Sequence, residues 1–145
     1  MVDGVKTDRL AEAIALARAT RSRAYAPYSH FRMGAAVLTG KGALVPGALV
    51  ENVSLGLAMC AERVALFATV ALDAGQPALL VLVSPRTAGH LTFPCGACLQ
   101  VALELGGPDL HVVACDLRGA SETTRLGDLA PRLPHKATTS GGSRR

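Results

Sequence analysis

Residues 78–84, ALLVLVS, form an unbroken apolar run with no alternation between polar and apolar positions. A strand with one face in water alternates, so this one must be covered on both faces, as strands are in sheets of parallel type with helices above and below. Any fold that contains it needs two helical layers around a sheet, and the rest of the chain supplies them. Residues 8–23 put Leu10, Ala13, Ile14 and Ala17 on one helical stripe, with Thr7 as the expected N-cap. Residues 34–39 and 43–50 predict two strands joined by the tight turn Gly40-Lys41-Gly42, an antiparallel hairpin. Pro46 and Gly47 inside the second strand predict an edge position with a bulge. Helices are expected over 60–74, stopped by Gly75 and Pro77, and over 95–105, ended by Gly106-Gly107. A strand over 110–115 and a last helical turn over 126–130 complete the order αββαβαβ with a small terminal element. Strand-helix-strand alternation in the second half implies parallel strands joined by right-handed crossovers. The predicted fold is α/β: a three-layer α/β/α sandwich on one mixed sheet of about five strands, an antiparallel N-terminal hairpin followed by parallel strands. A chain of 145 residues can bury one such core and not two. The expectation is a single domain over 1–133, with 134–145, ending in TTSGGSRR, as a flexible tail.

Composition removes several functions. Half the residues are apolar and only 18% are charged, which excludes general disorder. With two Tyr, three Phe and no Trp, the core must be built from Ala, Val and Leu, and a base-stacking platform for single-stranded nucleic acid is not available. The net charge of +4 includes Arg144 and Arg145 at the end, and the internal cluster Arg18, Arg21, Arg23 reads as the solvated C-terminal end of a helix. Neither nucleic acid nor membrane is therefore an expected partner. No apolar run reaches the roughly 18 residues of a membrane span. Residues 1–9 are polar and 10–17 are interrupted by Glu12, unlike a signal peptide, so a cytoplasmic location is expected. In a reducing compartment, four cysteines point to metal binding or catalysis before disulfides.

Three of those cysteines fall at two helix starts. Cys60-Ala61-Glu62 opens the second helix and Pro94-Cys95-Gly96-Ala97-Cys98 opens the third. A C-x-x-C turn lets two thiolates grip one tetrahedral ion, for which zinc is the usual occupant, and helix N-termini favour the thiolate form. Three protein ligands leave a fourth position open to water, the arrangement of a catalytic zinc. A dithiol redox pair would leave Cys60 without a role, and a closed structural zinc would need Cys115, which lies in the core-like run HVVACD. His30, His90, His111 and His135 share no spacing, so none is assigned to the metal. Glu62, two residues after Cys60, is placed to exchange protons with a metal-bound water; the competing reading is a solvated first-turn Glu favoured by the helix dipole.

The blocks AYAPYSHFRMGAA (24–36), Glu51-Asn52, Ser54, Gly56-Leu57, CAERVA (60–65) and PCGACLQ (94–100) resemble the small homotetrameric zinc-dependent cytidine deaminases, over roughly residues 10–131. The resemblance implies one Zn2+ per subunit on Cys60, Cys95 and Cys98, and hydrolytic conversion of cytidine or deoxycytidine to uridine or deoxyuridine with release of ammonia. It implies that Glu62 shuttles protons from water to ring N3 and the leaving amine while zinc hydroxide attacks C4, and that Arg63 donates hydrogen bonds to the ligand sulfurs. It further implies that Phe31 packs on the base, that Glu51 holds the ribose 3′-hydroxyl, and that the main chain at Ala61 meets the pyrimidine edge. The partners implied are a pyrimidine nucleoside, water and neighbouring subunits of a homotetramer that complete each pocket, in pyrimidine salvage. The chain departs from the family around the sugar. Where the family reads N-V-E-N-A-S-Y-G-L, residues 49–57 read LVENVSLGL, so Leu49 replaces an Asn that shares the 3′-hydroxyl and Leu55 replaces a Tyr that approaches a neighbour's pocket. Leu99 replaces an Arg, and no Phe follows Leu129-Ala130-Pro131-Arg132-Leu133. Those departures keep two other readings open: a deaminase of a modified aminopyrimidine nucleoside, such as a blasticidin-like antibiotic, and a zinc-stabilised structural or interaction domain.

Overall fold

The apolar run becomes the centre of the sheet. The structure, a computed structural model, describes Val2 and residues 4–136. Its elements are α1 (Thr7–Arg21), β1 (Gly34–Thr39), β2 (Leu44–Ala48), a 3-10 turn (Leu55–Leu57), α2 (Ala61–Ala71), β3 (Pro77–Val83), α3 (Gly96–Gly106), β4 (His111–Cys115), β5 (Ser121–Arg125) and α4 (Leu126–Leu129). The strand order is β2-β1-β3-β4-β5, which sets β3 in the middle. Leu79, Val81 and Val83 point to the face covered by Ala13 and Ala17 of α1. Leu80 and Leu82 point to the other face, against Ala61, Ala65 and Leu66 of α2 and Ala102 and Leu103 of α3. These five β3 side chains are fully buried, each stabilising by about 1.5–3 kcal/mol, which is why this strand takes the centre. The three-layer α/β/α sandwich follows.

The sheet is mixed, but less parallel than expected. Only β3 and β4 run parallel; β1 pairs antiparallel with both β2 and β3, and β4 pairs antiparallel with β5. The strand β5, SETTR, carries no apolar pattern and is mostly exposed, so nothing in its periodicity marks it. It is specified by the turn before it. Asp116 Oδ1 accepts the N–H groups of Arg118 and Ala120, both at 2.9 Å, and Oδ2 accepts Arg86 Nε at 2.8 Å. That clasp folds the chain back along β4, with Cys115 opposite Ser121 and His111 opposite Arg125.

Two local expectations are corrected. Thr7 is the first helical residue and not the cap: the N-cap is Lys6, and its side chain makes no capping bond. β2 is an edge strand as its Pro46 requires, yet it has no bulge, because its register with β1 is continuous from Gly34↔Ala48 to Leu38↔Leu44. The irregularity lies elsewhere, between Leu38 and Thr39 in the pairing of β1 with β3. Gly47 answers a different need. A Cβ there would stand 2.3 Å from the Ala61 carbonyl oxygen and 2.5 Å from the Ala65 nitrogen, so only glycine lets the first turns of α2 lie directly on β2. At the C-terminal end, Gln100 Nε2 donates to the Pro134 carbonyl at 2.9 Å, while 137–145 of the expected tail lie outside the described residues.

Gly47→Ala is expected to lower stability by about 1–3 kcal/mol through this overlap, whereas Gly56→Ala, with open space around its Cβ, leaves the melting temperature unchanged. Thermal melts of the two variants check this; equal melting temperatures would contradict it.

Candidate active site

Gly47 sets where α2 begins, and the site is built at that beginning. Cys60 is the N-cap of α2 and Cys95 the N-cap of α3, both with extended backbone, and neither side chain makes a capping bond to its helix. Both sulfurs are thus free to point away from the helix ends. Cys98, one turn into α3, is buried, Cys60 is half-buried and Cys95 exposed. The three sulfurs lie within 4.8 Å of one another, with Cys95 Sγ and Cys98 Sγ 3.7 Å apart. Thiolates bound to one zinc at about 2.3 Å in a tetrahedron stand about 3.8 Å apart, so the donor set fits this ion.

The electrostatics agree with a cation site. The Cys60 thiol is pulled down to about 5, first by the hydrogen bond from Cys98 and then by Arg63, while the same bond and burial push the Cys98 thiol up. Close thiols that share hydrogen bonds hold protons that a metal ion would displace on binding. Arg63 Nη2 donates to Cys60 Sγ at 3.6 Å, and its Nε is buried without a partner.

Glu62 is fully buried, and neither carboxylate oxygen has a hydrogen-bond partner among the described residues. Burial first, and the Cys60 charge second, push its carboxyl up to about 7. A solvated first-turn Glu would show none of this. Leaving a buried acceptor unmade costs about 1–3 kcal/mol, more for a charged group, so a carboxylate with two orphan oxygens is a feature of function and not of folding.

The other cysteine is elsewhere. Cys115 packs with Ala13, Ala17 and Ala36 on the α1 side of the sheet, so it belongs to the core and supplies no fourth sulfur. No histidine joins the three-cysteine group among the described residues.

The residues expected at the nucleoside are arranged along the segment that continues β2 and the loop facing it. Leu49 N–H donates to the Met33 carbonyl at 3.1 Å, and its own carbonyl accepts Tyr25 N–H at 2.9 Å. Its half-buried side chain, with those of Phe31, Phe93 and Leu99, packs at the margin of the α2–α3 core. Ala61 is buried at the first position of α2. Glu51 accepts the Ser29 hydroxyl on Oε1, and Tyr28 N–H (2.9 Å) and Ser29 N–H (3.3 Å) on Oε2, and these bonds, the hydroxyl first, hold its carboxyl below the usual range. The sequence alone assigns no role to Ser29 or Tyr28, and for Gly47 it predicts a bulge and not the close contact with α2. The first two bond to Glu51 across more than twenty residues, and only their place in the block 24–36 hinted at them.

The three-layer α/β/α arrangement brings three convergent sulfurs at two helix N-termini together with a buried, unpartnered glutamate, a donor set and a proton carrier suited to a catalytic zinc. The chain belongs to the family described as the cytidine and deoxycytidylate deaminase zinc-binding region, whose profile matches residues 7–114. It is 39% identical over 111 residues to a cytidine deaminase of Halalkalibacterium halodurans, covering 77% of this chain and 83% of that one. It is 44% identical over 111 residues to a cytidine deaminase of Mycobacterium tuberculosis, covering 74% and 76%. The crystal structure of cytidine deaminase from Burkholderia pseudomallei superposes with a TM-score of 0.78 at 45% identity, over 83% of this chain and 95% of that chain. Among the described residues no helix is long and apolar enough to cross a membrane.

Zinc analysis of purified variants checks the ligand set. Wild type and Cys115→Ser are expected to carry one zinc per chain, and Cys98→Ser to carry none at matched protein concentration. Loss of zinc from Cys115→Ser would contradict the assignment.

Proposed function

We propose that the chain deaminates cytidine and deoxycytidine hydrolytically, forming a C4–O bond, breaking the C4–N bond and releasing ammonia. The observation that carries this reading is the buried carboxylate of Glu62, unpartnered and two residues from Cys60 in the three-sulfur group. Cys60, Cys95 and Cys98 would hold a zinc ion, which when bound would supply the acidity that makes a water nucleophilic at neutral pH. Glu62 accepts the proton of the attacking water and delivers protons to ring N3 and to the departing amine, a task suited to a carboxyl whose affinity for protons lies near neutrality. Arg63 donates to Cys60 and offsets thiolate charge that would otherwise blunt the metal's acidity. Phe31 lies against the base, the main chain at Ala61 meets its edge, and Leu49 and Glu51 face the sugar.

The reading extends to assembly. Val53, Leu55 and Leu57 are 80%, 86% and 68% exposed and follow directly on Glu51. An apolar lip beside the site is costly in water and supports a homotetramer in which neighbouring subunits cover it and complete each pocket. The enzyme then serves pyrimidine salvage in the cytoplasm.

Purified, zinc-loaded protein is expected to bleach the ultraviolet band of the 4-amino chromophore of cytidine and deoxycytidine; free cytosine and a blasticidin-type nucleoside serve as comparison substrates. Glu62→Gln should retain zinc and fold while losing about 10²–10⁴ in rate. No turnover of cytidine or deoxycytidine by the zinc-loaded protein, or full activity of Glu62→Gln, sinks the reading. On assembly, light scattering is expected to show a tetramer with activity per subunit falling as dilution dissociates it; a fully active monomer would contradict this.

A further inference from the structure

Of the three sulfurs, Cys95 is the one least held by its own helix. Cys98 is buried one turn inside α3, and Cys60 accepts a hydrogen bond from Arg63. Cys95 is exposed and makes no capping bond, so its place depends on the loop that leads into α3 from β3.

That loop contains no strand or helix, yet it is tied across at two levels. Near its tip Thr87 and His90 exchange both N–H···O bonds, at 3.0 Å each, around a two-residue turn in which Ala88 and Gly89 have φ of 50° and 81°. At its neck Thr92 Oγ1 donates to the Pro85 carbonyl at 2.8 Å. A hydroxyl has one proton, so the 2.8 Å bond between Thr87 Oγ1 and Thr92 Oγ1 is donated by Thr87. Cys95 follows this neck by three residues. Phe93 packs against the α2–α3 core cluster and Pro94 is buried, which leaves little slack between the neck and the sulfur.

The closed loop is pinned to the sheet from outside. Arg86 forks, with Nε donating to Asp116 Oδ2 at 2.8 Å and Nη1 to the Gly89 carbonyl at 2.9 Å, so it spans the loop from base to tip. Asp116 is buried at the end of β4 and is fixed independently of the loop. Its Oδ1 accepts the N–H groups of Arg118 and Ala120, and its own N–H donates to the Ala120 carbonyl at 2.9 Å. The β4–β5 turn thus uses only one of the two carboxylate oxygens. The other is given to the segment that delivers Cys95.

We propose that Asp116 and Arg86, with the neck closed by Thr92, position Cys95 and so set how tightly the chain retains its zinc. The proposal rests on the three-sulfur site described above. These are positioning residues, acting on the metal only through the ligand they place, and support of this kind governs metal affinity by about ten to a hundredfold.

Zinc affinity of the purified full chain, measured by competition with a chromogenic chelator well below each variant's melting temperature, tests this. Arg86→Gln removes the pin, and Thr92→Val, of nearly the same shape, opens the neck. Each is expected to hold zinc about tenfold to a hundredfold more weakly than wild type while keeping its circular-dichroism spectrum. Arg18→Gln controls for general loosening. Arg18 donates to the Asp116 and Leu117 carbonyls at 3.2 Å, on the same turn but not on the loop, and its loss should leave the affinity at the wild-type value. If Arg86→Gln does not fold, Thr92→Val and the control decide the matter. Wild-type affinity in either folded loop variant overturns the proposal, as does an equal loss in Arg18→Gln, which would make zinc retention follow stability alone. A wild type that takes up no zinc overturns the ligand set itself, and this proposal with it.

Discussion

The backbone of α2 rests on β2 at Gly47, where no side chain fits, and this contact fixes the position of every group that matters nearby. It sets the start of α2, and so the places of Cys60, Ala61, Glu62 and Arg63, which are successive residues. It also brings the continuation of β2, with Leu49 and Glu51, alongside that helix start. α3 shares the same face of the sheet, packed through Ala102 and Leu103 against the cluster that holds Ala61 and Ala65, and so delivers Cys95 and Cys98 to the same point. The doubly covered strand β3 makes such packing possible, since it anchors α2 and α3 on one side and α1 on the other.

The charges gathered there explain one another. Three thiols and a carboxyl, two of them buried, form a cluster that could not all ionise without a cation. Arg63 meets part of the demand through Cys60. The remainder would fall on a metal ion held by Cys60, Cys95 and Cys98. Burial holds the Glu62 carboxyl protonatable near neutrality, while Glu51, a short distance along the chain, accepts three donors that hold its carboxyl below the usual range. Two carboxyl groups are thereby separated into different tasks by their surroundings alone.

How much of this was legible in the sequence depends on which force specifies each part. Elements driven by apolar burial were readable: β1 has the bounds its pattern predicts, and β3 lies one residue from them. β5 was not, because Ser121–Arg125 is polar and is placed by the Asp116 turn and by pairing with β4. Gly47 was read as a bulge because a glycine in a strand has the same letter whether it bends the strand or admits a helix, and only the partner in space distinguishes them. At the site, the spacing of Cys60, Cys95 and Cys98 announced a metal, since helix starts and C-x-x-C place sulfurs by local geometry. The state of Glu62 was undecidable from position, because a first-turn glutamate is buried or solvated according to tertiary packing. The engagement of Glu51 by Ser29 was hidden for the same reason.

The central claim is that three sulfurs of this chain hold one zinc with a position left for oxygen. X-ray absorption at the zinc edge of the purified protein tests it most directly. The account predicts three sulfur scatterers at about 2.3 Å and one oxygen or nitrogen scatterer at about 2.0 Å, unchanged by Cys115→Ser. A four-sulfur shell, or protein that retains no zinc, would contradict it.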